Sequence, residues 1–123
     1  MRFAIFAAAF VSIFSSLIAN AATVLITGSN RGIGLEFAKQ YSELGWTVIA
    51  TSRTPNDDDE LNALDAQYDN LRVIALDVSD FDAIDALAAE LEGTPIDVLL
   101  NNAGILGGGT DVQTIGNIDF ESM

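Results

Sequence analysis

The 123-residue chain contains neither cysteine nor histidine. Without thiols there is no disulfide framework and no cysteine nucleophile. Without imidazole there is no Ser-His-Asp triad, and lacking both there is no ordinary zinc site. The absence of cysteine does not fix the redox compartment, because such a chain tolerates either. Basic residues are scarce: four arginines and the single Lys39 stand against eighteen acids, a net charge of −13. Nucleic-acid phosphates require a basic surface, so nucleic acid is excluded as a partner, and a polybasic hold on anionic lipid is excluded with it. Half of the residues are apolar, which rules out a disordered tail. The length suits one domain with a modest core.

The N-terminus is the most apolar part of the chain. Met1-Arg2 is a short basic start, Phe3 to Val11 is unbroken apolar sequence, Ser12 to Ile18 continues it more weakly, and Ala19-Asn20-Ala21 supplies an Ala-x-Ala pattern. This order predicts a secretory signal peptide over residues 1–21, cut after Ala21, and hence an exported protein, periplasmic or secreted. Two other readings stay open: an uncleaved membrane anchor, since the stretch is near the short end of a spanning length, and an extra helix packed on the domain. No twin-arginine pair is present, so export would be of an unfolded chain.

Beyond the leader, the chain is organised around Thr23-Val24-Leu25-Ile26-Thr27-Gly28-Ser29-Asn30-Arg31-Gly32-Ile33-Gly34. A β-branched, apolar run stops at a glycine, two more glycines come after it, and a helical pattern begins. That is a buried strand, a tight turn and a helix N-terminus, an arrangement that receives a pyrophosphate. Gly28 permits the turn, Gly32 lets backbone approach an anion, and Gly34 lets the helix pack close to the strand. Ile33, Phe37, Ala38, Tyr41 and Leu44 recur at helical spacing, with Gly45 as the stop. Trp46 to Thr51 reads as a second strand. The acidic run Asn56 to Glu60 lacks the spacing and glycine of a calcium loop; it reads as the start of a helix continued by Leu61, Leu64 and Tyr68, its acids capping the N-terminus and complementing the dipole. Leu71 to Leu76 is a third strand, leading into Asp77-Val78. Ile84, Leu87, Ala88 and Leu91 mark a third helix closed by Gly93, with Asp77, Ser79 or Asp80 available to cap it. Thr94-Pro95 is a turn. Ile96 to Leu100 is a fourth strand, apolar but for Asp97, as expected of a parallel strand covered on both faces, and it runs into Asn101-Asn102-Ala103-Gly104. Gly107-Gly108-Gly109 reads as a loop, and Asp111 to Met123 as mixed polar sequence.

Thr-Gly-x-x-x-Gly-x-Gly, Asp-Val and Asn-Asn-Ala-Gly, in that order, resemble the short-chain dehydrogenase/reductase family over residues 23–123. The run from Ile26 to Ala38 is similar to its C-factor and carbonyl-reductase branch. The resemblance implies an α/β fold, a Rossmann-type doubly wound parallel sheet, incomplete here at about four strands in the order 3-2-1-4. The fourth strand would then be an unpaired edge. Residues 22–123 would be the N-terminal part of an NAD(P)-binding domain. The implied cofactor set is Gly28, Ser29, Asn30, Arg31, Gly32, Ile33 and Gly34 around the turn, Arg53 after the second strand, Asp77 and Val78 against the adenine, and Asn102, Ala103 and Gly104, with Ala103 and Gly104 near the nicotinamide-side ribose. An asparagine at the buried end of the fourth strand is expected to bridge to the neighbouring strand.

An acid about twenty residues past the glycines binds the ribose 2′-hydroxyl of NAD, whereas an arginine accommodates the 2′-phosphate of NADP. Ser52 occupies the position where the family carries the acid, with Arg53 next to it. Arg31 offers a second guanidinium, and guanidinium suits phosphate better than lysine. NADP is therefore the expected cofactor, NAD the less expected one, and ordinary solvated charge is the competing reading of both arginines.

The family's chemistry uses a tyrosine acid, a lysine four residues later, an upstream serine and an asparagine. None can be placed here. Leu35 stands four residues before Lys39, and Tyr68 is followed at that spacing by Arg72, which is too basic to share protons. No catalytic residue and no metal ligand is assigned. The sequence reads as the cofactor half of an NADP-dependent oxidoreductase acting on a small carbonyl or alcohol, homo-oligomeric if full length, or else as a non-catalytic NADP-binding module or truncated remnant. An exported protein of this kind would need a nucleotide that is scarce outside the cytoplasm.

Overall fold

The computed structural model describes residues 21–104. The expected leader (apart from Ala21), the triple-glycine segment and the polar C-terminal stretch lie outside the described residues. No helix among the described residues is long and apolar enough to cross a membrane.

Strands and helices alternate in the order β1 (Thr23–Ile26), α1 (Gly32–Glu43), β2 (Thr47–Ser52), α2 (Asp59–Gln67), β3 (Leu71–Ala75), α3 (Phe81–Glu90) and β4 (Val98–Leu100), with one 3₁₀ turn, Pro55–Asp57, ahead of α2. All strand pairs are parallel, in the order β3-β2-β1-β4. The register sets Val24 beside both Val48 and Val98, and Ala50 beside Val73.

The period-two alternation of β-strands sorts side chains onto two faces. Val24 and Ile26 of β1, Val48 and Ala50 of β2 and Leu71 of β3 form one core with Ala38 of α1 and Leu61 of α2. Ile49, Leu25, Ile74 and Leu76 turn to the other face and pack with Ile84 and Leu87 of α3 and with Leu91 just beyond its end. Val24, Ile26, Val48, Ile49 and Leu61 are at most 1% exposed. Each contributes about 1.5–3 kcal/mol by leaving water. The connections β1-α1-β2 and β2-α2-β3 step one way across the sheet, whereas β3-α3-β4 steps back past two strands. Crossovers of one hand must then place α3 on the opposite face from α1 and α2, as observed. The order reverses between β1 and β4.

Three expectations need correction. Of the residues at helical spacing along α1, Ala38 is fully buried and Tyr41 packs against the core, but Ile33 is 69% and Phe37 37% exposed, and Leu44, just beyond the helix, is 72% exposed. The fully buried positions are Gly34, Ala38 and Ser42, where the helix lies close against the sheet, and Leu35 and Tyr41 pack half-buried against the same core. Second, the described residues do not cover β4 on both faces. Leu99 is 54% exposed, since among the described residues the apolar layer beneath α3 extends no further than Leu25 of β1 within the sheet. Third, Asp58 is the N-cap residue of α2 yet makes no side-chain cap; its carboxylate accepts a hydrogen bond from Ser52 Oγ instead. Asp59 and Glu60 do occupy the first turn of α2, where they complement the dipole. Asp80 caps α3, accepting from Ala83 N–H at 3.1 Å.

Candidate cofactor site

The carboxyl ends of all four strands converge on one crevice of about 200 Å³, lined by Gly28, Asn30 and Arg31 after β1, Arg53 after β2, Leu76 and Val78 after β3, and Asn102, Ala103 and Gly104 after β4. It lies at the point where strand order reverses, which is where open α/β sheets take their ligands.

The turn after β1 is built by close approach. Gly28 sits at φ +66°, and a Cβ there would come within 2.9 Å of Ala103 Cα. A Cβ on Gly34 would collide with the Gly28 carbonyl oxygen and lie 2.5 Å from Asn102 Nδ2. The glycines thus let β1, α1 and the segment after β4 meet almost at backbone contact. Hydrogen bonds hold them there. Asn102 Nδ2 donates to Gly28 O at 3.0 Å, Ala103 N–H donates to Thr27 Oγ1 at 3.0 Å, and Thr27 N–H donates to Leu100 O at 3.0 Å. An asparagine bridge between neighbouring strand ends is present, although Asn101 and Asn102 are both exposed rather than buried.

Ser29 is fully buried. Its Oγ donates to Ile26 O at 2.9 Å and its N–H to Thr51 O at 2.8 Å, so its hydroxyl faces the protein, not the crevice. Gly32 opens α1 at φ +57°, with nothing within 4 Å of where a Cβ would stand. Ile33 is exposed beside it. Arg31 is the N-cap residue of α1, makes no side-chain cap, and no acid lies in the first turn. Among the described residues the first N–H groups of this helix therefore have no side-chain partner, whereas α2 carries Asp59 and Glu60 there and α3 carries Asp82 below its Asp80 cap. An uncapped N-terminus beside an arginine is a positive site made of backbone dipoles and guanidinium.

Arg53 is exposed and stands next to Ser52, which is 2% exposed. Among the described residues the one salt bridge joins Arg72 to Glu90, so neither arginine of the crevice is in direct contact with a carboxylate there. After β3, Val78 lines the crevice and Asp77 stands just outside its lining. Asp77 Oδ1 accepts from Ser79 Oγ at 2.6 Å and from Ser79 N–H at 2.9 Å. These two bonds, the side-chain one foremost and with Arg53 adding a smaller attraction, hold its carboxyl below the usual value against a desolvation that pushes the other way. Asp77 is thus an ionised acceptor with one oxygen already engaged.

Two residues of the site were not among those expected. Thr27, 6% exposed, anchors the Asn-Asn-Ala-Gly segment through its hydroxyl; its place immediately before Gly28 was the available signal. Leu76, 7% exposed, is the last apolar residue of the third strand-like run and forms the apolar lining of the crevice beside Val78.

The short chain dehydrogenase family model matches residues 22–123. Serine 3-dehydrogenase of Agrobacterium fabrum is 38% identical over 104 residues, covering 82% of this chain and 41% of that protein. A short-chain dehydrogenase/reductase from Burkholderia multivorans with bound NADP superposes with TM-score 0.68 at 36% identity, over 83% of this chain and 44% of that one. A carbonyl reductase from Pseudomonas aeruginosa PAO1 in complex with NADP gives TM-score 0.68 at 33% identity, over 82% and 46%. The chain spans less than half the length of these relatives. A parallel sheet ordered β3-β2-β1-β4, a glycine turn at its switch point and a family match over nearly all of the described residues lead to one conclusion: the chain belongs to the short-chain dehydrogenase family.

Proposed function

We propose that the crevice binds NADP in preference to NAD, and that the chain is the cofactor-binding part of a reductase passing hydride between the nicotinamide and a small carbonyl or alcohol. The observation that carries the preference is Arg53: it lines the crevice, is exposed and forms no salt bridge among the described residues, at the strand end where the 2′-substituent of the ribose is sensed. The crevice fits such a group. The Gly28–Gly34 contact clears backbone for a pyrophosphate, and the uncapped N-terminus of α1 with Arg31 would hold its charge. Leu76 and Val78 would lie under the base and Ala103 and Gly104 beside the second ribose. When bound, the dinucleotide supplies the hydride; the residues of this chain bind and orient it.

A second reading, binding without turnover, is favoured by the tyrosines. Tyr41 is followed four residues later by Gly45, and Tyr68 by Arg72. Neither tyrosine lines the crevice; Tyr68 donates to Glu43 at 3.3 Å and Arg72 is paired with Glu90. Calorimetric titration of the purified chain with NADP and NAD tests the proposal. NADP is expected to bind more tightly, with Arg53→Ala abolishing the difference, and equal affinity of the unaltered chain for both would overturn it.

A further inference from the structure

The acid that is missing from the end of β2 returns to it through space. Ser52 Oγ donates its one proton to Asp58 Oδ2, and the same oxygen accepts from Thr54 N–H at 3.2 Å. A hydroxyl so engaged has no proton left for a ligand. Arg53 lies between Ser52 and Thr54, on a loop whose two ends are joined by that Ser52–Asp58 bond. Further bonds stiffen the loop: Asp57 N–H donates to Thr54 O at 2.9 Å, Asn62 N–H to Asp58 O at 2.9 Å, and Asn62 Nδ2 to Pro55 O at 2.7 Å. The loop is thus stitched to the first turn of α2, a helix anchored in the core by Leu61, which is fully buried.

We propose that Asp58 is the positioning residue for Arg53: through Ser52 Oγ its carboxylate fixes the Ser52–Thr54 backbone from which the guanidinium reaches the 2′-phosphate. The proposal rests on the reading of the crevice as an NADP site. It assigns a role to a carboxylate that, judged by charge alone, opposes phosphate binding. Its value lies in order, because an arginine on a fixed backbone loses less freedom when it takes up a phosphate.

The test uses the whole chain and two probes that differ only in the 2′-phosphate, 2′,5′-ADP and 5′-AMP, titrated by calorimetry against the unaltered chain, Asp58→Ala, Asp58→Asn and Ser52→Ala. Asp58→Ala and Ser52→Ala are each expected to lower affinity for 2′,5′-ADP by about three- to tenfold, the scale of re-ordering one long side chain, while 5′-AMP binding is unchanged. Asparagine keeps an oxygen acceptor for Ser52 Oγ, so Asp58→Asn is expected to restore discrimination. Unchanged 5′-AMP affinity shows that a variant is folded, and a merely structural role would weaken both probes together. Two results overturn the proposal alone: full discrimination in Asp58→Ala, or tighter 2′,5′-ADP binding in it, which would make Asp58 an electrostatic opponent. If the unaltered chain fails to distinguish the probes, the NADP reading itself falls and the proposal with it.

Discussion

Asn102 and Gly28, 74 residues apart in sequence, meet in a single hydrogen bond from the Asn102 amide to the Gly28 carbonyl at 3.0 Å. Gly28 is the pivot of the turn after β1, and Asn102 stands two residues beyond the end of β4. Their bond therefore spans the switch point of the sheet and holds the two sides of the crevice at a fixed separation. The bond is exposed, so it adds modestly to stability, but its geometry determines whether the glycine turn and the Ala103-Gly104 segment face one ligand together.

Replacing Asn102 should separate these two effects. Asn102→Ala is expected to cost about 0.5–1 kcal/mol of stability, the net value of one ordinary hydrogen bond, and to weaken dinucleotide binding. Asn102→Asp should do more harm, because a carboxylate facing the Gly28 carbonyl places two acceptors together with no proton between them. Urea unfolding alongside calorimetry with NADP checks both. If the aspartate variant binds as well as the unaltered chain, the amide is not what holds the crevice.

Gly34→Ala tests the close approach of α1 to the turn. The added methyl would collide with the Gly28 carbonyl oxygen and with Asn102, and neither backbone nor the anchored amide can give way without opening the crevice. Overpacking of this kind costs about 1–3 kcal/mol, and cofactor binding is expected to be lost. Gly32→Ala is the contrast. Its Cβ meets nothing within 4 Å, so in the free protein only the φ of +57° resists the change, and the loss of stability should be smaller. Thermal unfolding of the two variants ranks them.

Much of this architecture was legible because strand, turn and helix each leave a local trace. The apolar runs at Thr23, Thr47 and Leu71 became β1, β2 and β3 within a residue or so, and the glycines at 28, 45 and 93 all have positive φ. The buried face of α1 is legible only in part, through Ala38 and Tyr41, for a physical reason. Ile33, Phe37 and Leu44 dominate a hydrophobic pattern, but a helix in near-backbone contact with a sheet buries its smallest residues. Gly34, Ala38 and Ser42, spaced by four, carried that signal. The Ser52–Asp58 bond could not be read at all, because an acidic run ahead of a helix has the same sequence whether its carboxylates cap the helix or reach back to a strand. Arg53 was found because its place depends on chain order alone, immediately after a strand whose end forms the crevice.

Thr51 offers a stabilising change. Its side chain is fully buried at the end of β2, and its Oγ1 has no hydrogen-bond partner among the described residues. Valine has nearly the same shape and no polar atom to desolvate, and its branched Cβ suits a strand. The backbone carbonyl of Thr51, which accepts from Ser29 N–H at 2.8 Å, is untouched by the exchange. Thr51→Val should raise stability by about 1 kcal/mol, the lower end of the penalty for an unsatisfied buried group, without altering NADP affinity. A fall in the unfolding midpoint would show that the hydroxyl has a partner after all.

Asp77 links the fold to acid. Its carboxyl is held below the usual carboxylate value chiefly by the Ser79 hydroxyl, then by the Ser79 N–H, with a smaller attraction from Arg53 and an opposing desolvation. A carboxylate whose pKa is depressed on folding stabilises the folded state fully above its unfolded pKa, and that contribution disappears as pH falls through the lower, folded value. Ser79→Ala removes the larger cause, so Asp77 should titrate at higher pH and the stability difference between neutral and acid solution should narrow. Arg53→Ala should move the titration the same way by less. Carbon-detected NMR titration of the Asp77 carboxyl measures the shift directly. If Ser79→Ala leaves that titration in place, the hydroxyl hydrogen bond is not its main cause. If it moves while affinity for the adenine half of the cofactor stays constant, the free oxygen of Asp77 is sufficient for whatever the base requires of it.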